Sequence, residues 1–329
     1  MDKKNIAIVY GGYSSEEVVS RRSAEGIISF INKAHYNLFP LLITPEKWAV
    51  TIDSQEYPVN RADFSTSIDG ETVHFDCAYI TIHGTPGEDG LLQGYLKMVG
   101  IPHTTCDVLP AAITFNKYTC NNYLKGYGVM VANSALVRKG LSYDILEIAK
   151  KTGFPCFVKP NAGGSSFGVS KVKAIEEMEP AIQKAFNESH EVIIEQFIEG
   201  TEVTCGLYKT AAKTEIFPLT EVISENEFFD YEAKYTPNKV TEITPARLSK
   251  EITVAVQNQS LKIYELLGCK GFVRVDYIIS DERIFMLEVN TTPGMTPTSF
   301  IPQQIKAKGL DPQIVFSEII EDAIASFRH

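Results

Sequence analysis

The sequence predicts an α/β protein, α+β overall, in three consecutive subdomains, the first of them a domain built on a mostly parallel sheet. Three observations lead there. Short apolar runs alternate with helix-length patterns through the first third of the chain, the rhythm of βαβ units. Two later stretches read as strand, turn, strand, one of them around a loop rich in glycine and serine. At 329 residues and 44% apolar content, the chain can fill more than one core.

In chain order, NIAIVY is the first strand and ends before Gly11 and Gly12; a helical pattern follows over 18–31, then the apolar runs NLFPLLIT and CAYITIHG. The loops after Tyr10 and His83 leave the carboxyl ends of two such strands, where open α/β sheets place ligands. A second segment begins near Thr105: helical patterns through Leu124 and over 143–151 flank SALVRKG, and the strand FPCFVKP, the loop NAGGSSFG and the strand VSKV form a hairpin before a helix over 175–186. The third opens at VIIEQFIEG, carries a helix over 252–267 and ends with the two-strand stretch GFVRVDYIISDERIFMLEVN. The expected subdomains are 1–105, 106–194 and 195–329.

Composition narrows the function. A net charge of -10 argues against a nucleic-acid or anionic-membrane surface, because repulsion of phosphate would have to be overcome locally. Basic residues must then cluster wherever a phosphate binds. The opening MDKKNIAIVYGG has too short an apolar run for a signal peptide or membrane span, so a cytoplasmic location is expected. The six cysteines are scattered without a C-x-x-C pair, which reads as reduced filler rather than a disulfide framework or zinc site.

The stretch from Gly271 to Gly294 is the most informative. Side chains alternate faces along a strand, so Arg274 and Asp276 share one face, as do Glu288 and Asn290. Folding the hairpin about SDER can bring Asp276, Glu288 and Asn290 together as oxygen ligands beside one guanidinium, the donor set that magnesium needs at a nucleotide site. A solvated hairpin face with a cross-strand salt bridge is the other reading. Phe272, Val273, Val275, Tyr277, Met286, Leu287 and Val289 fill the intervening positions, so the charged face borders a core and a cation would compensate its burial.

The loop after Lys159 carries Gly163, Gly164 and Gly168 with Ser165 and Ser166, which suits a lid over a triphosphate or an ordinary flexible hairpin. Its Gly164-Ser165-Ser166-Phe167-Gly168 also satisfies G-x-S-x-G, the elbow of a serine hydrolase with Ser166 as nucleophile. That reading needs a helix next, whereas VSKV alternates like a strand and only His190 and His329 follow. Neither a Walker pattern nor G-x-G-x-x-G follows the first strand. In VIIEQFIEGTEV, Glu195, Phe197 and Glu202 match an adenine slot with a ribose acceptor, or an amphipathic edge strand.

Taken in order, these residues resemble the ATP-grasp superfamily and, within it, the D-alanine-D-alanine ligase family. The resemblance runs along nearly the whole chain: Gly11-Gly12 with Ser15-Glu16, His83-Gly84 with Gly87-Glu88-Asp89-Gly90, Asn116-Lys117, Lys159-Pro160 with the glycine loop, Glu195 to Glu202, Tyr231-Glu232-Ala233-Lys234-Tyr235, Arg274-Val275-Asp276, and Leu287-Glu288-Val289-Asn290-Thr291-Thr292-Pro293-Gly294-Met295. It implies a three-subdomain ATP-grasp architecture and an enzyme for peptidoglycan precursor synthesis. There, one D-alanine takes the γ-phosphate of ATP as an acyl phosphate and a second D-alanine displaces phosphate to give the dipeptide.

The resemblance also implies roles. Lys117, Lys159 and Lys234 match phosphate-binding lysines, with Ser165 and Ser166 in the covering loop; Glu195, Phe197 and Glu202 match the adenosine pocket. Asp276, Glu288 and Asn290 match the ligands of two magnesium ions, for which manganese can substitute, and Arg274 with the Gly294 N–H matches the oxyanion donors. Glu16 and His83 match contacts to the first D-alanine, Ser299 and the Phe300 N–H the carboxylate site of the second, and Glu16, Ser165 and Tyr235 a hydrogen-bonded set. The usual partner is a second copy in a homodimer. Val18, Ala162-Gly163, Gln196 and Pro297-Thr298 depart from the common pattern. A D-hydroxy acid or another D-amino acid as second substrate, and a non-catalytic α/β binding protein, are the alternatives.

Overall fold

The computed structural model describes residues 3–14, 16–164, 167–224 and 240–327. Its first part runs β1 (Lys4–Gly11), α1 (Glu17–Phe30), β2 (Tyr36–Ile43), β3 (Trp48–Ile52), β4 (Gln55–Asn60), β5 (Ser65–Ile68), β6 (Glu71–Val73), β7 (Cys77–Ile80) and α2 (Leu91–Met98). β1 pairs parallel with both β2 and β7, as the alternating pattern predicts. Strands β3 to β6 add to the outer edge of β2, each antiparallel to the one before. The sheet, in order β6-β5-β4-β3-β2-β1-β7, is therefore mixed rather than mostly parallel. Tight turns drive the difference: Asp53-Ser54 and Asp69-Gly70 all take positive φ, at 48°, 68°, 52° and 88°, the backbone of two-residue hairpin loops. Asp-Gly at 69–70 was a legible turn signal; the weak alternation of the flanking strands hid it.

Helix α1 turns Ser20, Ser23, Ala24, Gly26 and Ile27 inward. Ser20 Oγ accepts from Gly11 N at 3.0 Å and donates to the Thr81 carbonyl at 2.8 Å, tying together the carboxyl ends of β1 and β7.

The second part holds α3 (Val108–Phe115), α4 (Lys117–Lys125), β8 (Ser134–Arg138), α5 (Ile145–Thr152), β9 (Cys156–Pro160), β10 (Ser170–Val172), α6 (Met178–Ala185) and β11 (Glu191–Gln196). Its strands pair antiparallel in the order β10-β9-β11-β8. Alternation sends Cys156, Val158, Val192 and Ile194 into a core with Ile148, Met178 and Ile182 from the helices. Ile193 faces Lys159 and Glu195 faces Phe157 across the ladder, so those four share the opposite face.

The third part comprises β12 (Thr201–Lys209), β13 (Thr214–Ile216), β14 (Thr220–Ser224), β15 (Val240–Ile243), α7 (Lys250–Leu267), β16 (Val273–Ser280), β17 (Arg283–Asn290), α8 (Phe300–Ala307) and α9 (Pro312–Ser326). The sheet runs β15-β14-β12-β16-β17, with β13 beside β12, and every pairing is antiparallel. Helix α7 is capped by Ser249, whose Oγ accepts from Ile252 N at 3.2 Å, and stops at Gly268 in the left-handed conformation. It buries Val256, Ile263 and Leu267 against Val203, Cys205, Val273, Val275 and Tyr277. Residues at the alternate positions of β16 are left for the other face. All six cysteines are buried and free, as the reduced-filler reading expects.

Candidate active site

The hairpin of β16 and β17 opens the site. Arg274 lies directly opposite Asn290, and Asp276 opposite Glu288, so the four polar side chains do form one patch. Arg274 donates from Nε and Nη2 to the two oxygens of Asp276 at 2.9 and 2.8 Å, and Thr204 Oγ1 adds a 2.6 Å hydrogen bond to Asp276 Oδ1. Asn290 Nδ2 donates to Asp276 Oδ2 at 3.1 Å and to Glu288 Oε1 at 3.4 Å. Burial works against charge on Arg274, but Asp276, with Glu288 and Glu88, overrides it and pushes the guanidinium pKa still higher. The register slips between Asp276 and Tyr277, leaving Leu287 as an extra residue on β17; this bulge keeps Glu288 toward Asp276 while Met286 turns to the core.

Those donors suit a hard cation. Asp276 and Glu288 offer carboxylate oxygen and Asn290 a carbonyl oxygen beside its Nδ2, and Glu288 remains 30% exposed toward the cavity. Among the described residues no three His, Cys, Asp or Glu side chains converge; a cation held by Asp276, Glu288 and Asn290 would complete its shell with water and ligand oxygens, as magnesium does at nucleotide sites.

A cavity of about 570 Å³ lies between the second and third sheets, walled by Lys159, Glu195, Phe197, Glu202, Asp276 and Glu288, with Lys117 at one end. Lys159 forms an ion pair with Glu195, whose other oxygen accepts from Asn121 Nδ2 at 2.8 Å. Burial opposes a charged Lys159; Glu195, helped by Glu288 and Glu202, outweighs it and raises the pKa. Lys117 begins α4, where the Asn116 side chain accepts from Thr119 N at 2.9 Å. Its Nζ reaches the Gly163 carbonyl at 2.6 Å and lies 3.6 Å from Glu288 Oε2. Phe157 and Phe197 flank the pocket with ring centroids 5.9 Å apart, and Lys171 Nζ sits 4.2 Å from the Phe197 centroid.

A second cavity of about 370 Å³ joins it, the two sharing Lys117, Gly163, Gly164, Glu288 and Phe300 as walls. One side comes from the first part, Glu16 at the start of α1 and His83 and Glu88 in the loop after β7. The other comes from the third part: Arg274, Asn290, Gly294, Ser299 and Phe300. Burial holds His83 below the usual imidazole range, with Arg274 adding to the shift and Glu16 opposing it, so the ring is neutral near pH 7; Ser23 Oγ lies 3.4 Å from its Nε2. Glu88 accepts from Gly84 N at 2.7 Å, and burial together with Glu16 pushes its carboxyl up to about 8. Ser299 precedes α8 and its Oγ accepts from Thr296 N at 3.0 Å, while the Phe300 ring lies 5.4 Å below the Arg274 guanidinium. Gly164 passes so close to Glu16 that a Cβ there would sit 2.7 Å from its Oε1.

A D-ala D-ala ligase N-terminus model matches residues 5–106, and a D-ala D-ala ligase C-terminus model matches residues 124–321. The chain belongs to the D-alanine–D-alanine ligase family. A D-alanine–D-alanine ligase of Phocaeicola vulgatus is 56% identical over 97% of this chain and 99% of its own length. Among solved structures, the VanG D-Ala:D-Ser ligase from Enterococcus faecalis is 31% identical with a TM-score of 0.85, covering 98% of this chain and 99% of that one. The D-alanine–D-alanine ligase from Bacillus anthracis complexed with ATP is 28% identical with a TM-score of 0.78, covering 98% of each. The fold is the ATP-grasp fold of these ligases.

In this ligase, Lys117, Lys159, Glu195, Phe197, Glu202, Asp276 and Glu288 line the larger cavity, and Glu16, His83, Arg274, Asn290, Gly294, Ser299 and Phe300 the smaller. Ser165, Ser166, Lys234 and Tyr235 fall outside the described residues. The segment after the glycine loop is β10, antiparallel to β9, so the strand-turn-helix context of a serine-hydrolase elbow is missing. Sequence reasoning overlooked Glu88 as a site residue although it lies in the quoted Gly87-to-Gly90 motif. It also missed Glu221, held at the cavity wall by Arg247 through hydrogen bonds of 2.7 and 2.9 Å, for which TEVIS carries no signal. Among the described residues no helix is long and apolar enough to cross a membrane.

Proposed function

We propose that this ligase joins two D-alanine molecules through an acyl phosphate, releasing ADP and phosphate, with the larger cavity holding ATP and the smaller one both D-alanines. The observation that carries the reading is the shared wall: Lys117, Gly163, Gly164 and Glu288 border both cavities, so a terminal phosphate at the junction would meet a carboxylate from the other side. A carboxylate oxygen of the first D-alanine attacks the γ-phosphorus as the bond to ADP breaks. The amine of the second attacks the acyl carbon, and phosphate leaves.

Phosphoryl transfer is mostly positioning and charge neutralisation. Lys117 and Lys159 supply fixed positive charge, with Lys234 and the loop of Ser165 and Ser166 assigned to the γ-phosphate by the family pattern. Glu195, Phe197 and Glu202 seat the adenosine. Glu16 takes the ammonium of the first D-alanine, and neutral His83 donates one N–H to its carboxylate. The N-terminus of α8, with Ser299 and the Phe300 N–H, receives the carboxylate of the second, since unpaired backbone N–H groups and the helix dipole favour an anion there. Arg274 and the Gly294 N–H stabilise the oxyanion of the tetrahedral intermediate. Asp276, Glu288 and Asn290 would hold magnesium, two ions on the family pattern with manganese able to substitute, which when bound neutralises phosphate charge.

The same reading makes the chain a cytoplasmic enzyme of peptidoglycan precursor synthesis, working as subdomains 1–105, 106–194 and 195–329. A homodimer is supported by Leu91, Met98, Val108 and Leu109, apolar side chains exposed on α2 and α3. The likeness to a D-Ala:D-Ser ligase favours one second reading, another D-amino acid as acceptor. Phosphate release with ATP and magnesium across D- and L-amino acids and D-lactate tests both: release that ignores D-alanine refutes the first, and release with D-alanine that rises on adding D-serine favours the second.

A further inference from the structure

Glu242, an acidic side chain of the smaller cavity, has no part in that mechanism. Glu242 stands on β15 directly opposite Val222, which pairs in turn with Glu202 and through it with Ile278. Paired residues share a sheet face, so Glu242 projects from the same face as Arg274 and Asp276. Its Oε2 accepts from Gln303 Nε2 at 2.5 Å, and the same Nε2 donates to the Thr298 carbonyl at 2.6 Å. Gln303 thereby tethers the carboxylate beside the start of α8. No other described residue donates to it, and it lines the cavity with Ser299, Phe300, Gly294 and Arg274.

A carboxylate next to a seat for another carboxylate is a poor arrangement for a simple anion. It is a good one for a zwitterion. An amino acid whose carboxylate rests at Ser299 and the α8 N-terminus carries an α-ammonium that can meet Glu242, whereas a 2-hydroxy acid brings the same negative charge with no cation to offset it. We propose that Glu242 is the acceptor-selecting residue of this ligase, receiving the ammonium of the incoming D-amino acid and disfavouring D-hydroxy acids. The inference rests on reading this end of the cavity as the acceptor site. Glu242 need not take the proton that the ammonium loses before attack; its part is binding and selection, and Gln303 is the positioning residue that aims it.

The test uses full-length enzyme, ATP, magnesium and D-alanine competing with D-lactate, with products quantified by mass spectrometry and the two apparent KM values for D-alanine fitted separately. Glu242→Gln should raise the acceptor KM about tenfold, a charge-assisted hydrogen bond being partly screened at an open cavity. The KM of the first D-alanine should move far less, and the ratio of D-alanyl-D-lactate to D-alanyl-D-alanine should rise about tenfold. Glu242→Asp keeps the charge and should stay within about threefold of the wild-type ratio. An unchanged ratio in folded Glu242→Gln, or a Glu242→Asp as permissive as Glu242→Gln, overturns the assignment. If wild type makes no D-alanyl-D-alanine at all, the acceptor site itself is misread and the inference falls with it.

Discussion

Helix α1 brings Val19 and Arg22 to the wall of the smaller cavity, and its place there depends on packing that is tightest at Gly26. A Cβ added at Gly26 would fall well inside contact distance of the Met295 carbonyl oxygen, and lie 3.1 Å from the carbonyl carbon and 3.2 Å from Thr296 Cα. Backbone cannot swing aside as a side-chain tip can. A carbon–oxygen approach needs roughly 3.3 Å, so α1 and the loop carrying Gly294 must part by on the order of 1 Å. The Ser23 hydroxyl that accepts from Met295 N at 3.2 Å would be pulled from register as well. Overpacking of this kind costs about 1–3 kcal/mol, offset by roughly 0.5–1 kcal/mol from replacing a helical glycine with alanine. Gly26→Ala should thus lose about 1–2 kcal/mol, a melting temperature lower by a few degrees, and about a hundredfold in kcat/KM, because the Gly294 and Ser299 groups move by the misplacement that positioning cannot absorb. Gly94→Ala in α2 is the internal control: its Cβ would meet only Val108 Cγ2, at an ordinary 3.6 Å, so it should gain a fraction of a kcal/mol and keep wild-type turnover. Thermal unfolding and coupled phosphate-release kinetics on both variants decide the matter. Equal stability and equal kcat/KM for the two would refute the argument from packing.

Glu288→Gln keeps volume but removes an anion facing the phosphate junction, so turnover should fall severely with an unchanged melting curve; wild-type turnover across a magnesium titration rules out the metal role. Glu88, whose carboxyl is pushed up to about 8 by burial and Glu16, binds a proton more tightly folded than unfolded. Its contribution to stability is therefore complete below the usual carboxylate range and is lost as pH rises toward 8. Urea titrations should show wild type weakening relative to Glu88→Gln between about pH 5 and 8, and parallel profiles would contradict the assigned shift. Ser166→Ala should retain substantial ATP-dependent ligation; complete loss, together with esterase activity in wild type, would restore the hydrolase reading.

Much of the site was legible because it is written in local rules. Alternation along 272–290 decides which side chains of a strand share a face, whatever the rest of the chain does, and Arg274, Asp276, Glu288 and Asn290 meet as that rule requires. The same holds for the β9–β10 hairpin. The order of motifs along the chain sufficed to point to the family. The sequence by itself therefore determined the strands around the hairpin of 272–290 and which of their side chains share a face.

Tertiary structure decided what no period encodes. Glu16, His83 and Glu88 come to share a cavity with Arg274 and Ser299 because α1 docks on the Met295 loop through Ser23 and a glycine without a Cβ, a contact between segments some 270 residues apart. The four-strand extension of the first sheet depended on hairpin turns whose flanking strands alternate weakly. The slip at Asp276 and Tyr277 left no mark in hydropathy, since Leu287 and Met286 are both apolar. Nothing in VTEI marks Glu242; its pairing through Val222 and Glu202 with Ile278 is what puts it on the face of Arg274 and Asp276. The reason is the same each time: a face is set by neighbours along the chain, but its partner is set by which faces can be buried together, and that is a property of the whole fold.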